Sequence, residues 1–517
     1  MQSKIKKLGC LLLSLMMTVG VSACGGAGGN EGSSVGGGDS SSRREESSSE
    51  TQQKEYLENG MPDYDSVTVE PLMFNSYIAP FASKTAFQEY MDCGFNWVNI
   101  YGRSEFNFPN LGGVETALGW CDELGLKALV NVTDNVEQMY NKGNGSDASP
   151  AERFSAYESF QGFYFDEPFM DYHGTKPGIN QLEMIIGSLI NESPNTSFCA
   201  NLNPVWFIDK VLPANERTYT YEQYVDAMTA KINQQYEDAG STAYRWISGD
   251  DYPFWIDKSN NSKWLANDWL RSLAHLAVEK QECGMENVVS NYFIQAMPFT
   301  NKSSNQTRER EIGYNEMKMQ AYTLMAFGYD SISFFCYGTP SVGVEFDIQH
   351  LALVDREGNK TSAWYDAQRV MTEINKFQNT YMQFNDYWWG IYPVNGTGST
   401  REDFTALAST SNHGVPQSII STSDRELLGL QSATATKDTI IGCMLDEDSN
   451  SGFVVVNYND TVKNYNSTVQ MQFDADMFSK AWVYIDGVKD EVQLTGGKLT
   501  LQLDVGEGVF VIPIKNQ

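Results

Sequence analysis

The chain has 517 residues, a formal net charge of −30 and only four histidines. That charge excludes nucleic acid as a partner, because phosphates demand basic patches, and argues against electrostatic attachment to anionic lipid. Eight cysteines are too few for a disulfide framework at this length, and they show neither CxxC spacing nor a histidine at ligand spacing, so no metal is expected.

The first element in chain order is an export signal. Lys4, Lys6 and Lys7 precede an apolar run from Leu8 to Val21, which ends Val21-Ser22-Ala23-Cys24. A charged start, an apolar stretch and small residues at the cut make a secretory signal; a spanning helix needs about 20 apolar residues. Residues 1–24 resemble a bacterial lipoprotein signal with its lipobox. The resemblance implies that Cys24 is acylated and anchors the mature chain outside the cell membrane. The plainer alternative is an ordinary cleaved signal with an incidental Cys. Residues 25–61 are mostly Gly, Ser and Glu at first, with almost no apolar residue up to about Gln53, and read as a flexible tether.

Residues 62–385 alternate short apolar runs with amphipathic stretches. The runs are Leu72–Tyr77, Trp97–Tyr101, Ala128–Val132, Gly162–Phe165, Ser197–Ala200, Tyr244–Ile247, Val288–Ile294 and Ser331–Cys336. Their length and apolar character fit parallel strands buried on both faces. Between them Ile179, Leu182, Ile186 and Leu189 share a helical face, as do Leu265, Trp269, Leu273 and Leu276, and Met317, Ala321, Leu324 and Met325. Gly94, Gly125, Gly284 and Gly328 stand where helices should end. Eight such repeats predict a (β/α)8 TIM barrel, with a doubly wound open sheet as the fallback. A last helix (Trp364, Ala367, Met371, Ile374) closes it. Residues 386–517 carry alternating strands such as Gly452–Asn457, Ser467–Phe473, Ala481–Ile485 and Gly508–Ile514, split by Asn-, Asp- and Gly-rich turns. They predict a β-sandwich that braces the barrel, with a sugar-binding module as the alternative, which the lack of a cluster of exposed aromatics counts against.

In such a barrel the active site lies where the strands end. The fourth run ends Phe165-Asp166-Glu167-Pro168. Adjacent carboxylates there are costly unless they face water or a ligand. Pro168 biases Glu167 towards extended backbone. Alternation sends neighbours to opposite sides, so both acids reach the mouth only if the strand end bends. A capping Asp beside a surface Glu is the plainer alternative. The sixth run leads into Gly249-Asp250-Asp251-Tyr252-Pro253, a second acid pair whose plainer alternative is a turn or cap near Trp255. Asn75, Tyr77, Tyr101, Asn203, Trp206, Tyr252, Trp255, Gln295 and Tyr337 crowd the strand ends. Flat rings stack on sugar faces and amides reach hydroxyls, so the mixture suits a substrate pocket. Glu345 is a further candidate acid.

Phe165-Asp166-Glu167-Pro168 resembles the Asn-Glu-Pro that ends strand four in many retaining (β/α)8 glycosidases, with Asp for Asn. It is similar also to the Asp-Glu pair of barrel hexosaminidases. The first resemblance implies that Glu167 is the acid/base. The second implies that Asp166 orients an acetamido group, which attacks the sugar carbon while Glu167 protonates the leaving oxygen. The resemblance covers the order of barrel elements, the fourth run and the approach to the eighth, Ala326-Phe327-Gly328-Tyr329-Asp330-Ser331. The retaining family places a nucleophilic Glu at the end of strand seven; that position holds Gln295 here. Asp250 or Asp251 is the candidate to fill the gap, about 5–5.5 Å from its partner for retention or about 6.5–9.5 Å for inversion.

These readings converge on a cell-surface glycoside hydrolase that cleaves an oligo- or polysaccharide. Glu167 is its proton donor, with Asp250, Asp251 or Asp166 as partner. No organic cofactor is expected, since two carboxylates suffice. The contrasting expectation is an inactive glycan-binding lipoprotein. The missing strand-seven Glu favours it, and the two acid pairs count against it.

Overall fold

The computed structural model describes residues 54–516, apart from 102–110, 134–138, 140–147, 171–177, 209–218, 258, 267, 284–286, 299, 302–305, 308, 343–345, 347, 400–403, 405–406 and 408–415. Cys24, Gly284, Glu345 and the side chain of Tyr101 lie outside the described residues.

The eight expected runs all form strands. They are β1 (Met73–Ser76), β2 (Trp97–Tyr101), β3 (Lys127–Asn131), β4 (Phe160–Asp166), β5 (Ser197–Leu202), β6 (Arg245–Asp250), β9 (Val288–Gln295) and β12 (Ser331–Phe335). A hairpin of β7 (Phe254–Asp257) and β8 (Ser262–Leu265) follows β6, and a two-residue pair, β10 (Thr300–Asn301) and β11 (Gln306–Thr307), follows β9. The eight main strands are parallel, in the order β1-β12-β9-β6-β5-β4-β3-β2. Asn96 closes the seam between the two ends. Its backbone N–H donates to Phe74 O (3.2 Å), its side chain donates to Leu72 O (2.9 Å) and accepts from Phe74 N–H (2.7 Å).

Helices α1 (Lys84–Cys93), α2 (Leu111–Leu124), α3 (Pro150–Phe154), α4 (Ile179–Glu192), α5 (Tyr221–Ala239), α6 (Trp269–Glu282), α7 (Tyr314–Ala326) and α8 (Ser362–Asn375) surround the strands. Their apolar faces enter one continuous core with the outward side chains of the barrel, such as Val98, Val130, Phe163 and Ile294. Gly94, Gly125 and Gly328 follow α1, α2 and α7 with positive φ, as helix ends favour. One helical expectation fails. Leu265 ends β8 rather than preceding α6 on its apolar face, because Trp255 and Trp264 pair across the hairpin with centroids 5.8 Å apart, a contact that stabilises strand pairing.

The C-terminal strands are β13 (Trp388–Val394), β14 (Leu430–Ala435), β15 (Thr439–Leu445), β16 (Ser451–Asn457), β17 (Ser467–Phe473), β18 (Phe478–Ile485), β19 (Val488–Gln493), β20 (Lys498–Leu503) and β21 (Gly508–Lys515). Six form one sheet, β13-β15-β16-β21-β18-β19, and three form another, β14-β17-β20. The sheets enclose a second core that includes Ile441, Cys443, Phe453, Val455, Met471 and Val511. The alternate residues of the larger sheet, among them Ile440, Met444, Val454, Phe510 and Ile512, belong to the barrel's core instead. The sheet is therefore buried on both faces, which explains the unbroken apolar runs of β15 and β16. Close approach requires glycine at this seam: a Cβ on Gly442 would lie 2.1 Å from Ala326 O, and one on Gly508 2.2 Å from Tyr322 Cγ. Lys318 of α7, buried here, pairs with Glu373, Asp486 and Glu507.

Residues 54–64 also pack on this domain, with a Lys54–Asp448 ion pair at 2.8 Å and a buried Tyr64–Asp446 hydrogen bond at 2.7 Å. Five of the six cysteines among the described residues are buried, and none of the six forms a disulfide there.

Candidate active site

Strand alternation builds the barrel interior in steps. Met73, Trp97, Leu129, Tyr164, Cys199, Trp246 and Val289 form an apolar floor. Two residues further along each strand the same face carries Asn75, Asn99, Asn131, Asp166, Asn201, Ser248 and Asn291. A polar layer thus lies on the apolar one, towards the C-terminal ends of the strands.

One directional chain of hydrogen bonds runs through this layer. Ser331 and Ser333 hydroxyls each donate to Asn291 Oδ1 at 2.7 Å. Asn291 Nδ2 donates to Ser248 Oγ at 2.8 Å, and Ser248 Oγ to Asn201 Oδ1 at 2.9 Å. Asn201 Nδ2 then reaches both Asp250 Oδ1 (3.2 Å) and Asp166 Oδ1 (3.4 Å). One amide group therefore spans the two carboxylates, and the oxygens it bonds are at most about 6.6 Å apart.

The two acids differ in surroundings. Asp166 accepts also from Tyr164 OH (2.8 Å) and Tyr77 OH (3.4 Å). Its own N–H donates to Thr133 Oγ1 at 3.0 Å. Asp250 accepts from Tyr252 OH at 3.1 Å. Burial pushes the Asp250 carboxyl well above the usual carboxylate range, and the charges of Glu167, Asp166 and Asp251 push it the same way. Donors arrayed on a carboxylate favour its charged form, whereas desolvation and like charges favour the neutral acid. The site thus holds one carboxyl that resists ionisation beside another furnished with donors.

Glu167 is the bend that the sequence requires if both neighbours are to reach the mouth. Its backbone is not extended, as expected before Pro168, but left-handed, with φ +48°. Bonds on either side hold it there. Glu167 N–H donates to Asn201 O at 2.8 Å, and Pro168 O accepts from Tyr224 OH (2.7 Å) and Asn203 Nδ2 (3.0 Å).

The other expected site residues divide. Tyr77 and Tyr252 reach Asp166 and Asp250, and Asn75 lies in the polar layer. Trp255 caps the Tyr252 carbonyl through Nε1 at 2.6 Å. Four lie elsewhere. Asp251 is buried and accepts from Trp206 Nε1 (3.0 Å) and Tyr252 N–H (2.8 Å), so it and Trp206 brace the loops after β5 and β6. Asn203 is fully buried under Pro168 and Tyr224. Gln295 is fully buried and clamps backbone, accepting from Phe254 N–H (3.1 Å) and donating to Arg310 O (2.9 Å). Tyr337 packs outside the barrel on Tyr90 and Phe95, with centroids 4.7 and 5.8 Å away. The side chains of Asp251, Asn203 and Gln295 serve backbone, since a buried backbone polar group must find a partner; Tyr337 is core.

Sequence reasoning missed Asn201, Asn99, Asn131, Ser248 and Asn291. Their signal is an amide or hydroxyl inside an apolar strand, a residue type that strands disfavour, at the parity of the acids. Both polar atoms of the Asn99 side chain, and Asn131 Nδ2, are buried without a hydrogen-bond partner. Such orphans cost about 1–3 kcal/mol each, and they face the interior that holds Asp166.

No protein-family model matches the chain, and no curated protein matches it in sequence. Solved structures overlap it loosely. A glycoside hydrolase family 5 protein from Bacteroides vulgatus shares 11% identity over 90% of this chain and 92% of its own, with a TM-score of 0.47. A family 27 β-L-arabinopyranosidase from Geobacillus stearothermophilus shares 9% over 87% of this chain and 97% of its own, at 0.44. A β-galactosidase from a psychrophilic Marinomonas shares 10% over 61% of this chain, at 0.37, and the chain spans only 62% of that protein. The architecture rests on the strand pairing above, not on these overlaps.

Proposed function

We propose that the protein is a glycoside hydrolase in which Asp250 is the general acid and Asp166 the nucleophile. The observation that carries this is the single Asn201 amide bonded to both carboxylates, on a barrel rim where burial and neighbouring charges favour the protonated form of one of them, Asp250. Glycosidic cleavage needs that asymmetry: one carboxyl protonated to release the leaving oxygen, one ionised to meet the oxocarbenium-like carbon. Asp250 gives its proton to the glycosidic oxygen while an Asp166 oxygen bonds the sugar carbon and the C–O bond breaks. Water then displaces Asp166 from that carbon as Asp250 takes back a proton. The bound of about 6.6 Å on the two oxygens that Asn201 bonds is compatible with the retaining separation of about 5–5.5 Å. Glu167 is reassigned. Its charge contributes to keeping Asp250 protonated, and the proton donor is its neighbour across β5. Asn99 and Asn131 offer amides to sugar hydroxyls. The proposal places the enzyme outside the cell on a lipid at Cys24, acting on an extracellular oligo- or polysaccharide; among the described residues no helix is long and apolar enough to cross a membrane.

The test is turnover of a panel of aryl glycosides and oligosaccharides, N-acetylated sugars included, with NMR of the first-formed anomer. Asp250→Asn and Asp166→Asn should each lower kcat by about 10²–10⁴-fold or more, and the first product should keep the substrate's configuration. No turnover by the unaltered protein on any substrate, with oligosaccharide binding intact, would favour the inactive glycan binder instead.

A further inference from the structure

A cleft of about 550 Å³ opens between the β7–β8 hairpin and the sandwich, lined by none of the barrel-interior residues. Its walls carry Lys263, Lys437 and Lys463 together with Trp264 and Tyr465. Both rings are 39% exposed, and the Lys437 ammonium lies 4.0 Å from the Tyr465 ring centroid. Three lysines on one cleft are unexpected in a chain of net charge −30.

Among the described residues no acid forms an ion pair with them. Asp438 is occupied by Gly396 N–H and Ser399 Oγ, both at 2.8 Å, which fixes the 396–399 turn as one wall. Asp460 is buried in an ion pair with Arg310 at 2.6 Å. The lysine charges are therefore left to a ligand, beside two exposed rings. An ammonium group recognises an anion as a point charge, and an aromatic face takes the apolar face of a ring-shaped ligand. Asn459, Thr397 and Thr436, also on the walls, add groups that bond hydroxyls. Anion, ring and hydroxyls together describe an acidic sugar. We propose that this cleft is a second glycan-binding site, which holds an anionic sugar residue of an oligosaccharide apart from the acid pair. The hairpin that supplies Lys263 and Trp264 begins at Phe254, two residues after Tyr252, so it continues the loop that follows Asp250.

The test is calorimetric titration of the full-length protein with uronate, sulfated and neutral oligosaccharides of equal length. Binding of either acidic class, and of neutral chains at least about tenfold more weakly, is expected; the difference between the acidic classes identifies the anion. Lys437→Glu and a Lys263→Glu/Lys463→Glu pair should each weaken acidic binding by about tenfold or more, the loss of one charge-assisted contact. Binding should weaken with salt as the Debye length falls from about 30 Å at 0.01 M to about 10 Å at 0.1 M. Lys263 and Lys463 are exposed, so the pair variant leaves folding unchanged, as an unaltered Tm will report. Equal binding of neutral and acidic chains, no binding, or binding that survives both variants overturns the proposal. The readout is binding, so its failure is separable from that of the hydrolase reading.

Discussion

Glu167 sits in a left-handed backbone conformation that costs a side-chain-bearing residue about 1–3 kcal/mol. The hydrogen bonds to Asn201 O and Pro168 O hold it there, and its charge acts on Asp250 in favour of the protonated acid. Asp250 carries a related cost. Its pKa is raised in the folded state, so above the ordinary carboxylate value of about 3.9 the folded chain keeps a proton that the unfolded chain has lost. Stability contributed by this group therefore falls as pH rises, until the folded group also ionises. Asp250→Asn should be slow on substrates whose leaving group needs a proton, yet more stable, and thermal melts should show the gain in Tm widening from pH 4 towards pH 8. A gain that is constant with pH, or reversed, contradicts the protonated acid.

At the scale of elements, α5 and α6 meet through Asp226 and Glu279, away from the acid pair. Burial, then the neighbouring Asp226 charge, raises Glu279 to about 8. The same sign applies: this group's contribution declines between its unfolded value, about 4.3, and about 8, then levels off. Glu279→Gln should raise Tm more at pH 9 than at pH 5, by differential scanning calorimetry, and leave activity unchanged. The element order was readable before the structure because each barrel strand is an apolar run bounded by helical periodicity, and all eight runs became strands. The hairpin β7–β8 was not, since Trp264 and Leu265 fit a helical face as well as a strand until Trp255 is brought opposite. Within the site, Asp166 and Asp250 were visible as acids at strand ends. Which member of each acidic pair faces inward was not, because it depends on parity along the strand and on the φ of a single residue. Gln295 and Asn203 misled for a related reason: an amide near a strand end serves backbone as readily as it serves a ligand.

For the whole molecule, the larger sheet of the sandwich has one face in its own core and the other in the barrel's. The two parts should therefore unfold together. Calorimetry should show a single transition, and Gly442→Val should lower stability by about 1–3 kcal/mol or more, because the added carbons meet Ala326 backbone. Two separate transitions in the unaltered protein would contradict a shared core. That bracing reaches the site through α7. Gln320 of α7 accepts from Gln295 N–H at 2.8 Å, and Gln295 in turn holds the backbone at Phe254 and Arg310, next to the loop that presents Tyr252.

The assignment of Asp250 as acid and Asp166 as nucleophile is tested most directly by the dependence of rate on the leaving group. With the sugar that the panel identifies, Asp166→Asn, Asp250→Asn and Glu167→Gln would be assayed on aryl glycosides of graded phenol acidity. Asp250→Asn should keep much of its activity on the most acidic phenols, which leave without a proton, and lose it on the least acidic, while Asp166→Asn loses both. If Glu167→Gln shows that graded pattern and Asp250→Asn does not, the acid is Glu167 and the account is wrong.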